Sequence, residues 1–143
     1  MSEQGDVSQQ AETQTWLECF LRNHGGIAGS VHLRSGPDEL ALLATVNIPE
    51  PVRKVVSRVP RGKGMAGLVL ERNAAISSCN IQSDSSGQVR PGARAVDAQA
   101  AVALPVHNAT GEVRAVVGIA FADERTISDS DLAALADAAA SLP

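Results

Sequence analysis

Aromatic side chains are almost absent from this chain. It has one Trp, two Phe and no Tyr, so that aromatic residues make up 2% of its 143 residues. A row of aromatic rings on which single-stranded nucleic acid could stack is therefore excluded. The hydrophobic core must be built from aliphatic side chains, which supply most of the 44% of residues that are hydrophobic.

Cysteine and clustered positive charge are scarce as well. Cys19 and Cys79 are the only two cysteines, too few for a disulfide framework or a metal-ligand cluster, and we expect two reduced thiols. The 12 Lys and Arg residues against 16 Asp and Glu give a net charge of −4. This balance argues against a nucleic-acid partner, because neutralising phosphates requires a clustered basic surface.

Long apolar runs are missing too. No run approaches the roughly 18 residues that a membrane span requires. The N-terminal stretch MSEQGDVSQQAETQ lacks the basic region and apolar core of a signal peptide. We therefore expect a cytoplasmic protein with no membrane partner.

The apolar residues that are present predict a domain that begins and ends with a helix. Trp16, Leu17, Phe20 and Leu21 form one helical stripe, which Gly25 and Gly26 end. The polar residues 1–11 are predicted to be a flexible tail, and residues 12–143 the domain. Near the C-terminus, Ser128 and Asp131 have the spacing of a helix N-cap.

Between these helices the hydrophobic period is mostly two, which is typical of strands. Predicted strands cover residues 27–34, 39–46, 75–79, 99–107 and 113–121. A short helix is predicted within 52–59, and the segment 59–70 is predicted to change from a glycine-rich loop to a short helix. The last strand is apolar on both faces and should be central. The order predicts an α+β fold: an antiparallel sheet of five or six strands, both terminal helices on one face, and a loop-covered pocket on the other.

Four motifs, in order, resemble the GAF family, the small regulatory domains of phosphodiesterases, phytochromes and bacterial transcription activators. They are the loop PRGKGMAG at 60–67, ALPV at 103–106, GEV at 111–113 leading into VGI at 117–119, and ISDSDL at 127–132. The resemblance covers residues 12–143. It implies a bacterial, sensory, ligand-binding domain of signal transduction.

Free methionine-(R)-sulfoxide reductases are catalytic GAF proteins of this size, and their chemistry needs a thiolate and resolving cysteines. Aligned on the glycine loop, their cysteines fall at Ala66 and Val56; aligned on the Leu104–Pro105 strand, a third falls at Arg94. Their ligand-holding glutamate falls at Ala101. None of these positions holds the required residue, so the resemblance implies no enzyme and no catalytic residue, with a reductase-like enzyme as the remote alternative.

The expected ligand is a small anionic metabolite. Arg90 or Arg94, in the polar segment 80–97, could clamp its carboxylate or phosphate, unless these arginines pair with neighbouring acids. Ser30, His32 and Arg34 form a polar face of the first strand, either a pocket wall or an exposed surface. The predicted ligand-binding residues are Ser30, His32, Met65, Asp84, Arg90, Arg94, Gln99 and Ala101.

No cofactor and no metal are expected. The signatures of cyclic-nucleotide and bilin binding are missing, and His24, His32 and His107 are expected to be core or surface residues rather than haem ligands. Arg61 and Lys63 lie among glycines but lack the full phosphate-loop pattern.

The alternative to ligand binding is an interaction module with a vestigial pocket, which forms a homodimer through its terminal helices. The output is expected from a separate signalling protein.

Overall fold

The computed structural model describes residues 3–82 and 98–143, with side chains described from residue 8 onward. In this part of the chain the helices and strands follow in the order α1 Glu3–His24, β1 Ala28–Arg34, β2 Glu39–Val46, α2 Glu50–Val55, β3 Arg58–Pro60, α3 Gly64–Arg72, β4 Ile76–Ser78, β5 Ala100–His107, β6 Val113–Phe121 and α4 Asp129–Ala139. The strand, helix and turn order predicted from the sequence is recovered, with one addition at β3.

The six strands form a single antiparallel sheet in the order β3-β2-β1-β6-β5-β4. β6 is the longest strand and lies between β1 and β5, as its two apolar faces predict. Its register places Ser30 opposite Gly118 and Ala103 opposite the same glycine on the other side. The α+β prediction with an antiparallel sheet is confirmed.

Both terminal helices cover one face of this sheet. Leu17, Phe20 and Leu21 of α1 and Leu135 and Ala139 of α4 are buried in one cluster with side chains of β1, β5 and β6. α1 approaches β1 closely at Gly29, because a Cβ at that position would lie 2.9 Å from a Leu21 methyl group. The capping box that begins α4 is formed as predicted, with reciprocal bonds between Ser128 and Asp131.

The opposite face is covered by α2 and α3, and here the sequence prediction was incomplete. The short helix predicted within 52–59 is α2, which ends at Val55 and is followed by the edge strand β3. Val59 pairs with Leu40 of β2 and its side chain is buried. A strand of three residues is too short to show a period of two, and its final Pro60 is typical of an edge.

Three further observations concern the chain ends and exposed groups. α1 begins at Glu3, ahead of the predicted boundary at residue 12, and the division into a tail and a domain stays a prediction. Cys19 and Cys79 are both exposed thiols, and Cys79 lies just beyond β4 rather than inside it. None of the helices in the described ranges is long and apolar enough to cross a bilayer.

Candidate functional site: a cavity between the sheet and α3

The glycine loop fixes where α3 begins. Gly62 and Gly64 have φ of 82° and 65°, values that side chains with a Cβ disfavour. The Gly62 N–H donates to the Gly67 carbonyl at 2.8 Å, and a Cβ on Gly67 would lie 2.5 Å from the Pro60 carbonyl oxygen. The loop is therefore closed on itself, and it sets the first turn of α3 over the sheet.

Arg61 serves this loop rather than a ligand. Its guanidinium donates to the Asp38 carboxylate at 2.9 Å and to the carbonyls of Pro37 and Leu70 at 2.7 and 3.2 Å. These bonds connect the loop to the β1–β2 turn and to α3. The apparent phosphate-binding character of Arg61 is thus accounted for by structural hydrogen bonds.

A cavity of about 160 Å³ lies between the sheet and the α2–α3 layer. Its floor consists of small side chains on one face of β1, β5 and β6, namely Ala28, Ser30, Ala101, Ala103, Gly118 and Ala120. Val56, Met65 and Ala66 line it from α2 and α3. Larger residues around the floor keep the α2–α3 layer away from the sheet, and the floor residues are too small to fill the space between the two.

The register explains why the floor is continuous. Ala28 is opposite Ala120 and Ser30 is opposite Gly118 across the β1–β6 pair. A Cβ on Gly118 would lie 2.8 Å from the Ser30 hydroxyl oxygen, so the serine side chain occupies the space that glycine leaves. On the other face of β6, Val117 and Ile119 belong to the helix-facing core. One strand therefore presents a packed face to the helices and an open face to the cavity.

His32 is the buried polar group of the cavity wall. The residue is 3% exposed, and Nε2 lies 2.8 Å from the carbonyl oxygen of Val56, the C-cap residue that follows α2. Nδ1 is buried without a hydrogen-bond partner in the described structure. Burial lowers the pKa of His32 below its ordinary value of 6.5, although the hydrogen bond to Val56 acts in the opposite direction. The ring is therefore neutral near pH 7.

Most of the remaining lining is uncharged. Among the lining residues that belong to the described part of the chain, only Lys63 carries a charge, and its side chain is exposed at the start of α3. Lys63 is the N-cap residue of α3 and makes no side-chain capping bond. The interior of the cavity is accordingly apolar, with His32 and Ser30 as its polar exceptions.

The structure brings together four of the eight predicted ligand-binding residues. Ser30, His32, Met65 and Ala101 all line the cavity, whereas Gln99 is not among the lining residues, although its backbone bonds Ile81 and Phe121. The other three, Asp84, Arg90 and Arg94, lie outside the described residues. Of the predicted polar face of β1, Arg34 turns away and donates to the carbonyls of Gly36, Pro37 and Val113.

Several lining residues were missed by sequence reasoning, in particular Val56, Gly118 and Ala120. A signal for two of them was present, because Gly118 and Ala120 alternate with the larger Val117 and Ile119. That alternation of small and large residues marks the strand face on which space is left. Val56 was named only as the position of a reductase cysteine, and its bond to His32, 24 positions away, had no local signal in the sequence.

The described residues on either side of 83–97 lie next to each other beside the cavity. Ile81 lines the cavity and packs in one cluster with Ala98, Ala28 and Ala120. The Gln82 side-chain amide donates to the Ala98 carbonyl at 2.8 Å. The two flanks of residues 83–97 are therefore joined to each other beside the cavity.

Comparison with known proteins identifies the architecture. No family model matches the sequence, and no curated protein matches it either. Solved structures do match: the GAF domain/HD domain protein from Geobacter sulfurreducens has a TM-score of 0.71 at 15% identity, covering 98% of this chain and 92% of that one. The chain has the fold of GAF domains.

Two other structures that match are of proteins with a small-molecule substrate or binding site. Free methionine-R-sulfoxide reductase from Neisseria meningitidis, solved with its substrate, has a TM-score of 0.72 at 14% identity, covering 92% of this chain and 73% of that one. NreA from Staphylococcus aureus, described as mutated in its nitrate-binding site, has a TM-score of 0.69 at 15% identity, covering 86% of this chain and 92% of that one.

The positions that the resemblance assigned to reductase chemistry can now be placed in this GAF fold. Val56, Ala66 and Ala101 all line the cavity, and Arg94 lies outside the described residues. The alignments on two separate motifs therefore converge on one site. At the three described positions the side chains are aliphatic, and neither Cys19 nor Cys79 lines the cavity.

Proposed function

We propose that this protein is a non-catalytic sensory domain that binds a small molecule in the cavity between the sheet and α3. The observation that carries the proposal is the floor of small residues, which keeps an apolar space open beneath α2 and α3. A vestigial pocket would be expected to fill with larger side chains, because well-packed interiors leave few voids larger than a water molecule. Binding would be read out by a separate signalling protein.

The non-catalytic part of the proposal is supported by the chemistry of the lining. A thiol-based reduction requires a reactive cysteine at the ligand, and the described positions that face the cavity offer Val56, Ala66 and Ala101 instead. We expect no reduction of free methionine sulfoxide above background with dithiothreitol as reductant. Turnover that is lost in Cys79→Ser would contradict this part of the proposal, with Cys19→Ser as the matched control.

The proposed ligand carries an anionic group in addition to an apolar body. The apolar body fits the described cavity, and the anion would be held by Arg90 or Arg94 through a charged hydrogen bond. This placement is supported by Gln82 and Ala98, which flank the arginine-bearing segment and are bonded beside the cavity. Lys63 supplies a further positive charge at the lining.

A thermal-shift screen of small carboxylates and phosphates tests the binding proposal. A ligand present at about 100 times its Kd should stabilise the folded state by roughly 2.7 kcal/mol. For a domain of this size, that stabilisation corresponds to a rise in Tm of about 8 °C. Ala101→Leu should remove the shift because the larger side chain enters the cavity. Ala41→Leu is the matched control: it lies on β2, is also half-buried and does not line the cavity.

The same screen tests the anion clamp separately. Arg90→Ala or Arg94→Ala should weaken binding of the ligand by about tenfold or more, because charged hydrogen bonds contribute more than neutral ones. If a ligand binds, is blocked by Ala101→Leu and is unaffected by both arginine changes, the cavity is the site and the clamp is wrong.

A homodimer through the terminal helices is the second candidate role. α1 and α4 lie in the same layer, and the Trp16 indole N–H donates to the Ser141 hydroxyl at 3.0 Å. Ala133, Ala134 and Ala140 are exposed, so a second helix could approach closely. Sedimentation analysis should show a dimer that Ala134→Glu dissociates, and a monomeric wild-type protein at high concentration would rule this role out.

A further inference from the structure

Nδ1 of His32 is a buried polar atom without a partner beside the apolar cavity. The side chain is 3% exposed and Nδ1 has no hydrogen bond within the described structure. Leaving such an atom unsatisfied is costly, because its hydrogen bond to water is lost and nothing replaces it. An orphaned buried atom of this kind therefore needs an explanation.

The bond at the other ring nitrogen determines what Nδ1 can accept. A backbone carbonyl is an acceptor only, so the 2.8 Å contact between Nε2 and the Val56 oxygen requires the proton on Nε2. In a neutral imidazole the second nitrogen is then an acceptor. His32 lines the cavity, so a donor bound in the cavity would lie beside the ring that carries Nδ1.

The size of the cavity limits the group that brings this donor. A volume of about 160 Å³ is close to the roughly 150 Å³ of an engineered cavity that binds benzene. The part of a ligand that enters is therefore about the size of one small ring. Its surface must be mostly apolar to match the Ala, Gly and Val side chains that surround it.

We infer that the cavity takes a ring-sized apolar group that carries one N–H or O–H, which donates a hydrogen bond to Nδ1 of His32. This inference rests on the proposed binding function and adds the class of the group that is bound. A cation is not accepted next to His32, because its charge would be buried without a partner. A bare anion is not accepted either, because it offers only lone pairs to an atom that is itself an acceptor.

Phenol and toluene are the probes for this inference, because they have the same number of heavy atoms and differ in a donor. Toluene is the more hydrophobic, so it should bind more tightly to a site that offers no acceptor. In the wild-type chain we expect phenol to bind at least as tightly as toluene by calorimetry. In His32→Phe phenol loses the acceptor for its hydrogen bond, whereas toluene loses none. The ratio of the toluene Kd to the phenol Kd should therefore fall by about tenfold, the effect of one buried hydrogen bond.

A measurement on the wild-type chain covers the case in which His32→Phe fails to fold. The ¹⁵N NMR shift of Nδ1 should move when phenol is added and stay in place when toluene is added. Ala41→Leu, outside the cavity, should reproduce the wild-type behaviour in both measurements.

Two kinds of failure can be told apart. If both probes bind, Ala101→Leu blocks them, and Nδ1 does not respond to phenol, then the cavity binds ligands but the His32 inference is wrong; an ordered water or Ser30 would then satisfy the donor. If neither probe binds the wild-type chain, the cavity does not admit ring-sized molecules, and the proposed function fails together with the inference.

Discussion

His32 combines a structural hydrogen bond with a place in the wall of the cavity. Its Nε2 connects β1 to the end of α2 through the Val56 carbonyl, and its burial keeps the ring neutral. The period-two pattern of β1 predicted that Ser30 and His32 share a face, and both line the cavity. The contact with Val56 could not be predicted, because no local rule relates residues that far apart in the chain.

The lowered pKa of His32 predicts a specific dependence of stability on pH. In the unfolded chain His32 takes up a proton near its ordinary value of 6.5, whereas the folded ring does so only at lower pH. The free energy of unfolding should therefore decrease as pH falls below about 6.5 and level off below the folded pKa. Among the described residues that line the cavity, Lys63 is the charged one, and its side chain is exposed.

Urea unfolding at pH 7.5 and pH 5.5 measures this effect. His32→Phe should lose less stability between the two pH values than the wild-type chain. The variant has no titratable group at residue 32, while every other titratable group that contributes to the pH dependence is kept. An identical loss in both chains would mean that His32 does not titrate differently in the folded state.

At the scale of elements, length decided most of what could be predicted; the three-residue strand β4, predicted within 75–79, is the exception. The two terminal helices and the four long strands carry several periods of their hydrophobic pattern, and each was found. β3 consists of Arg58, Val59 and Pro60, and its strand character comes from pairing with β2 rather than from its own sequence. A segment so short takes its conformation from its neighbours.

The capping box of α4 gives a prediction at this scale. The Ser128 hydroxyl accepts a hydrogen bond from the Asp131 N–H at 3.1 Å, and the Asp131 carboxylate accepts one from the Ser128 N–H at 3.3 Å. Ser128→Ala should lower the free energy of unfolding by about 1 kcal/mol, the usual contribution of an N-cap. Chemical denaturation measures the change.

Ser130→Ala is the control for this variant, because Ser130 is exposed and lies inside the first turn of the same helix. It should leave stability within about 0.5 kcal/mol of the wild-type value. Equal effects of the two substitutions would show that the loss does not come from the cap.

At the scale of the whole molecule, the two faces of the sheet differ in how fully they are packed. Leu104 on the helix side is 0% exposed, while Met65 on the other side is half-buried and borders the cavity. Sequence patterning predicted both layers. It could not predict the volume left between them, which depends on the register that places small residues of three strands beside one another.

This asymmetry predicts different costs for truncating large side chains. Leu104→Ala should lower the free energy of unfolding by about 3 kcal/mol, since it creates a void in a closed core. Met65→Ala should cost less than half as much, because the side chain already borders open space. Parallel urea titrations compare the two, and a larger loss for Met65→Ala would indicate that the cavity side is the more tightly packed.

The floor of alanine, glycine and serine has a consequence for how this domain can diverge. Gly118 is fixed by the Ser30 hydroxyl beside it, whereas an alanine of the floor can be exchanged for a larger residue by changing the shape of the cavity, while the core beneath the terminal helices stays as it is. Selection on ligand preference and selection on folding therefore act on opposite faces of the same three strands. A lineage of such domains can acquire new ligands step by step, with each intermediate still folded.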